Sequence, residues 1–266
     1  MDGRWLEVGD GVLTRRYTEL DLTVGLVLGP ERALVVDTRG DARQGAELAA
    51  AVRAVTPLPQ AVAITHAHFD HCFGTAAFAP APVYALPRCR AVLAATSADQ
   101  RNRWAAYYRD RGDPGTAEAL SATEPPLPDA DAPATLDLGG RTVELLHLGR
   151  GHTDHDLVVA VPDAGVVFAG DLVEQGAPPD LEDAVVPEWP ATLDALLALR
   201  PRTVVPGHGE PVDPAFVAGQ RAELAEVAAL HAAVAGGTLS AAEAARRSPY
   251  PRVPWPLRSS PLGSRE

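Results

Sequence analysis

The chain of 266 residues contains no lysine: all 23 of its basic residues are arginine, set against 35 acidic residues for a formal charge of −12. A field of that sign repels nucleic acid and acidic membrane surfaces unless basic groups are concentrated locally. The densest arginine stretch, DQRNRWAAYYRDRGDP at 99–114, nearly cancels its four arginines with three aspartates and reads as a solvated helix with an aromatic packing face. Neither nucleic acid nor a membrane is therefore expected as a partner. Cysteine is equally scarce: Cys72 and Cys89 are too few for a disulfide framework and are expected as thiols. No apolar run approaches the roughly 20 residues of a membrane span. The opening MDGRWLEVGDGVL has no basic stretch followed by an apolar one, so no secretory signal is visible and the cytoplasm is the expected location.

What is present is a mixture of short β-like runs and alanine-rich helical stretches. RWLEVGDGVL, DLTVGLVLG and RALVVDT read as an opening antiparallel meander, and DARQGAELAAAVRAV as a helix ending before Thr56-Pro57. The strand AVAIT follows, then PVYAL, a helix near 87–95 and a helical insertion over 97–124; TEPPLPDADAP reads as a loop. A second set of strands comprises ATLDLGG, RTVELLHLG, DLVVAVP and GVVFAG, followed by the helix ATLDALLALR, the strand TVVPG and a long helix at 214–235. Two β-rich halves flanked by helices predict an α/β sandwich with two central sheets, a single domain over 1–247, and a proline-rich tail over 248–266.

Four apolar strands run into a small or turn-forming residue and then a metal-binding group. AVAIT delivers His66, VELLHLGRG delivers His152, GVVFAG delivers Asp171 and TVVPG delivers His208. Strand ends share one rim of a sheet, so His66, His68, Asp70, His71, His152, Asp171 and His208 are expected to converge. Imidazole and carboxylate suit zinc, and also iron or manganese; the lack of a thiolate argues against a closed structural zinc site. Seven ligands exceed the needs of one tetrahedral ion and suit two divalent ions with open positions, Asp171 being the natural bridge.

The ordered set HAHFDH, GHT, AGD and PGHG resembles the metal-site motifs of the metallo-β-lactamase-fold hydrolases, over about residues 10–235. The resemblance implies an αββα sandwich of two mixed β-sheets flanked by helices. It also implies that His66, His68 and His152 hold a first ion, that Asp70, His71 and His208 hold a second, and that Asp171 bridges them. The reaction it implies is hydrolysis of a small molecule's ester, thioester, lactone or lactam bond by hydroxide generated between the ions, with Asp70 orienting the nucleophile and shuttling its proton. Glyoxalase II-like and general hydrolases are the nearest in pattern. The missing lysine weakens a drug-hydrolysing reading, the acidic charge an RNA-processing one, and His68 a flavo-diiron one, which carries glutamate there. Two competing classes are a persulfide dioxygenase-like enzyme with a single iron, and a metal-binding scaffold acting through a partner.

Around the metal set, Asp37 reads as an orienting partner for a ligand histidine or as a plain turn aspartate. His155 reads as a solvated loop histidine or a substrate contact, and His147 as packed in the second sheet. Trp104, Tyr107, Tyr108 and Trp189 read as apolar pocket walls or as core.

Overall fold

In the computed structural model, which describes residues 3–250, the chain begins with four antiparallel strands: β1 (Trp5–Gly9), β2 (Val12–Arg16), β3 (Thr23–Leu28) and β4 (Ala33–Val36). Helix α1 (Ala42–Val55) is started by Asp41, whose side chain accepts from the Gln44 amide, and stopped by extended Thr56 ahead of Pro57. It crosses over to β5 (Gln60–Ala63), parallel to β4. The short α2 (Phe69–Cys72), one further 3₁₀ turn and β6 (Val83–Ala85) follow. Then come α3 (Pro87–Asp110), α4 (Pro114–Ala122) and β7 (Ala130–Asp131), which adds to β6 inside the stretch expected to be loop. The second sheet is built from β8 (Thr135–Asp137), β9 (Thr142–Leu146), β10 (Val158–Val161) and β11 (Val166–Glu174). After α5 (Trp189–Ala198), β12 (Thr203–His208) joins β11 in parallel, and α6 (Pro214–Ala235) and α7 (Ala241–Arg247) close the described chain.

Among the described residues the sheets run in the orders β1-β2-β3-β4-β5-β6-β7 and β12-β11-β10-β9-β8, both mixed. Strand alternation assigns the layers. On β4, Ala33 and Val35 pack with the α1 and α3 side chains Leu48, Val52 and Leu93, while Leu34 and Val36 enter a different core. On β10, Val158 and Ala160 pack with Leu193 and Leu224 of α5 and α6, while Val159 and Val161 enter the same core as Leu34 and Val36. The period of two thus turns one face of each sheet to helices and the other to the opposite sheet, an αββα sandwich. The sheets approach so closely that a Cβ on Gly25 would lie 2.3 Å from the Phe168 ring.

Three expectations are corrected. The helix near 87–95 and the insertion over 97–124 are not separate: α3 runs unbroken from Pro87 to Asp110, and α4 follows. No glycine or proline interrupts 88–111, and Thr96 turns its hydroxyl back onto the Val92 carbonyl within the helix instead of capping a new one. Asp171 is not at a strand end: β11 continues to Glu174, because left-handed Gly170 (φ 53°) introduces a bulge that bends the strand. His147 is exposed just beyond β9, its Nδ1 donating to the Asp156 carbonyl. Of the expected tail, Tyr250 packs against the α5/α6 core, and 251–266, with Trp255, lies outside the described residues.

Candidate metal centre

The HAHFDH turn is held by one aspartate. Asp37 follows β4 with φ +65°, a left-handed conformation that aspartate tolerates better than most residues. Its Oδ1 accepts from the Thr65 amide at 2.8 Å; its Oδ2 accepts from the Thr65 hydroxyl and from His71 Nδ1, each at 2.8 Å. The carboxylate therefore ties the strand exit before His66 to helix α2, which carries Asp70 and His71.

The seven expected side chains come together. His66, His68, His152 and Asp171 form one group, and Asp70, His71 and His208 a second, each with its candidate ligand atoms within 4.8 Å of one another. Asp171 stands between them: its Oδ2 is 3.7 Å from His66 Nε2, 3.6 Å from His152 Nε2 and 3.3 Å from His208 Nε2, and its Oδ1 is 3.2 Å from His71 Nε2. Asp70 Oδ2 lies 3.4 Å from His208 Nε2 and 3.6 Å from His71 Nε2.

Hydrogen bonds on the outer side of each ring decide which nitrogen faces the centre. His208 Nδ1 donates to the Leu20 carbonyl at 2.8 Å and His152 Nδ1 to the Asp180 carbonyl at 3.3 Å; a carbonyl only accepts, so both protons sit on Nδ1. The Thr65 hydroxyl spends its proton on Asp37, so its oxygen accepts from His66 Nδ1 at 3.0 Å. His68 is turned the other way: Nε2 donates to Asp183 Oδ2 at 3.2 Å, and Nδ1 faces His152 Nε2 at 3.0 Å. Each imidazole is left with an unprotonated nitrogen toward the centre when neutral, the arrangement that metal-ligating histidines use.

The residues fit divalent cations on two further observations. His66 Nε2 and Asp171 Oδ1 are buried and make no hydrogen bond. In addition, the backbone of β12 leaves room for the Asp171 carboxylate only because residue 207 is glycine: a Cβ there would lie 1.8 Å from Asp171 Oδ1. Without ions the two groups differ in charge. Burial, reinforced by the neighbouring imidazole of His71, holds His66 well below the ordinary histidine range, and burial lowers His152 to about 4. Burial also opposes charge on His71 and His208, but there Asp171 and Asp70 outweigh it, raising His71 well above the ordinary range and His208 to about 10.

The centre opens into a cavity of about 620 Å³ whose walls include Leu20, Phe69, Val92, Gln100, Trp104 and His155. His155 is only 4% exposed, which corrects the solvated-loop reading. Its Nε2 accepts from the Ala67 amide at 3.2 Å, so its proton lies on Nδ1, donated to Asp154 Oδ1 at 2.7 Å. It thereby grips the backbone between His66 and His68. Trp104 lines the cavity, stacked on Phe69 at 4.4 Å between centroids. Tyr107, Tyr108 and Trp189 do not line it, a correction to their reading as pocket walls. The two tyrosines pack with Trp104 in the α3 core, where side chains on one helix face meet at spacings of three and four. Trp189 is fully buried beneath His152, 5.9 Å from its ring, and donates to the Leu172 carbonyl. The sequence points to the loop over 174–189 as pocket-forming but gives no individual role to Asp183, Gly207 or Glu174. Glu174 lies three positions beyond Asp171 and lines the cavity, where burial pushes its carboxyl up to about 8.

Comparison with known proteins agrees with this architecture. The family model described as the metallo-beta-lactamase superfamily matches residues 18–208. The metallo-beta-lactamase type 2 of Bacillus cereus is 33% identical over 114 residues, which cover 38% of this chain and 44% of that protein. The metallo-beta-lactamase type 2 of Bacillus sp. (strain 170) is 30% identical over 205 residues, 70% of this chain and 66% of that one. The matched stretch thus spans less than half of the first relative and about two thirds of the second. A metallo-beta-lactamase from Pontibacter korlensis superposes with a TM-score of 0.65 at 22% identity, covering 84% of this chain and 99% of that structure, a likeness of fold. With the family pattern matched across most of its length, the chain belongs to the metallo-beta-lactamase superfamily.

Proposed function

We propose that the protein is a metal-dependent hydrolase of small molecules, with His66, His68 and His152 holding one divalent ion, Asp70, His71 and His208 a second, and Asp171 shared. The observation that carries this reading is the outward commitment of each ring's second nitrogen, to Thr65, Asp183, Asp37, Asp180 or Leu20, which leaves the inward nitrogens available together. Zinc suits this donor set foremost, with iron or manganese also compatible. Such ions, when bound, supply Lewis acidity and water activated at neutral pH.

The chain's own residues supply the rest. Asp70, at the cavity floor, is placed to orient an attacking water and to accept its proton. Leu20, Phe69, Val92 and Trp104 provide an apolar wall that removes water from one side of a bound substrate. Esters, thioesters, lactones and lactams are the bond types this arrangement suits. On a panel of those four classes, Asp70→Asn is expected to lower kcat by at least about 100-fold, the scale of a lost general base, while circular dichroism stays that of the parent. Unchanged turnover in Asp70→Asn, or no hydrolysis of any class by the metal-loaded parent, would overturn the reading. The single-iron alternative differs in metal content and in consuming oxygen, and both are measured on the same preparation.

A further inference from the structure

Ala67 stands between two candidate ligands, His66 and His68, and is buried. Among the described residues both of its backbone groups are satisfied by side chains. Its amide donates to His155 Nε2 at 3.2 Å, and its carbonyl accepts from Gln100 Nε2 at 2.8 Å. A buried peptide group without a partner is costly, so each bond restricts where this turn can lie. Both bonds lead back to helix α3. Gln100 is part of it, and His155 is tied to it through Asp154, whose Oδ1 accepts from His155 Nδ1 at 2.7 Å and whose Oδ2 accepts from Arg88 Nε of α3 at 3.0 Å.

The Gln100 amide is fixed in orientation. A carbonyl only accepts, so the nitrogen and not the oxygen faces Ala67. The second proton on that nitrogen goes to the Thr96 hydroxyl oxygen at 3.0 Å, and the hydroxyl donates its own proton to the Val92 carbonyl at 2.9 Å. The ligand group of Asp70, His71 and His208 is held by other contacts: Asp37 and the Thr38 amide on His71, and the Leu20 carbonyl on His208. We propose that Gln100 is a positioning residue for the first ion. Together with the Arg88–Asp154–His155 chain it fixes the peptide between His66 and His68, and so governs the affinity of that ion and not of the second. This rests on the two-ion reading of the centre and is independent of which bond, if any, is hydrolysed. Helix α3 also supplies Val92 and Trp104 to the cavity wall, so one helix shapes both the substrate's space and the first ion's site.

The test measures zinc affinity of the full chain by chelator competition in two backgrounds that each keep one ion: His208→Ala, which keeps the first, and His152→Ala, which keeps the second. Gln100→Leu removes the donor at similar size, and leucine is a good helix former, so circular dichroism should not change. Added to His208→Ala, it is expected to weaken zinc binding about tenfold; added to His152→Ala, it should leave the affinity within about twofold. Thr96→Val, which keeps the shape but removes the hydroxyl that orients Gln100, should act in the same direction and by less. A role in stability alone would weaken both ions alike or neither. Equal losses in the two backgrounds, or no loss in His208→Ala, would therefore overturn the proposal. A His208→Ala protein that binds no zinc would remove the two-ion reading and this proposal with it. The selective loss in a protein that hydrolyses no acyl compound would remove the hydrolase reading and leave this one standing.

Discussion

Asp37 illustrates how a residue with a small sequence signal acquires a large structural role. Its buried carboxylate accepts three hydrogen bonds, so Asp37→Ala strands three donors and is expected to cost about 3 kcal/mol or more in chemical denaturation. Asp37→Asn keeps the shape and tolerates the left-handed backbone but no longer fixes the His71 tautomer. It is expected to fold and to bind zinc roughly 10- to 100-fold more weakly, measured by competition with a chromogenic chelator. Asp156 contributes a pH dependence of its own. It is buried, and desolvation raises its carboxyl from 3.8 to about 7. The folded protein therefore binds a proton there that the unfolded chain releases, so this group's contribution to stability falls as pH rises from about 4 to about 7. Thermal unfolding of Asp156→Asn is expected to lose less stability across that window than the parent; an identical pH profile would refute the assignment. The seven gathered side chains were legible because their motifs are local and ordered. Asp183 and Gly207 were not, because what marks them is a contact across the fold: a carboxylate reaching His68 from a loop, and the absence of a side chain where Asp171 must sit.

At the scale of elements, the parallel pair β11 and β12 places Asp171 beside His208, and the bulge at Gly170 aims it. Trp189 of α5 supports the same region from beneath, and Trp189→Ala is expected to cost about 3 to 5 kcal/mol, as deletion of a buried aromatic does. Glycine substitutions separate space from propensity. Gly219 is exposed within α6 with nothing near a new Cβ, so Gly219→Ala should stabilise the protein by about 0.5 to 1 kcal/mol. Gly207→Ala, whose Cβ meets Asp171, should destabilise it and abolish metal uptake. Strand alternation and helix caps made most elements readable from the sequence. Two boundaries were not readable: α3 crosses Thr96-Ser97 because a threonine hydroxyl can bond back within a helix, and β11 crosses Gly170 because a left-handed glycine can bend a strand without ending it.

The whole molecule is an αββα sandwich whose central core is shared by the two sheets and whose candidate metal-ligating side chains come from both. His66, His68, Asp70 and His71 follow β5 of one sheet, and Asp171 and His208 lie on β11 and β12 of the other, so correct ligand geometry requires that the sheets dock. Leu34→Ala, which opens a cavity between the sheets at a fully buried position, should cost about 2 to 5 kcal/mol and lower metal affinity without touching a ligand. The two-ion centre is tested by elemental analysis of the purified protein, counting metal ions per chain in the parent and in His208→Ala. The expected result is two divalent ions per chain in the parent and loss of one in the variant. One ion or none in a folded parent, or a His208→Ala variant that retains two, would contradict it.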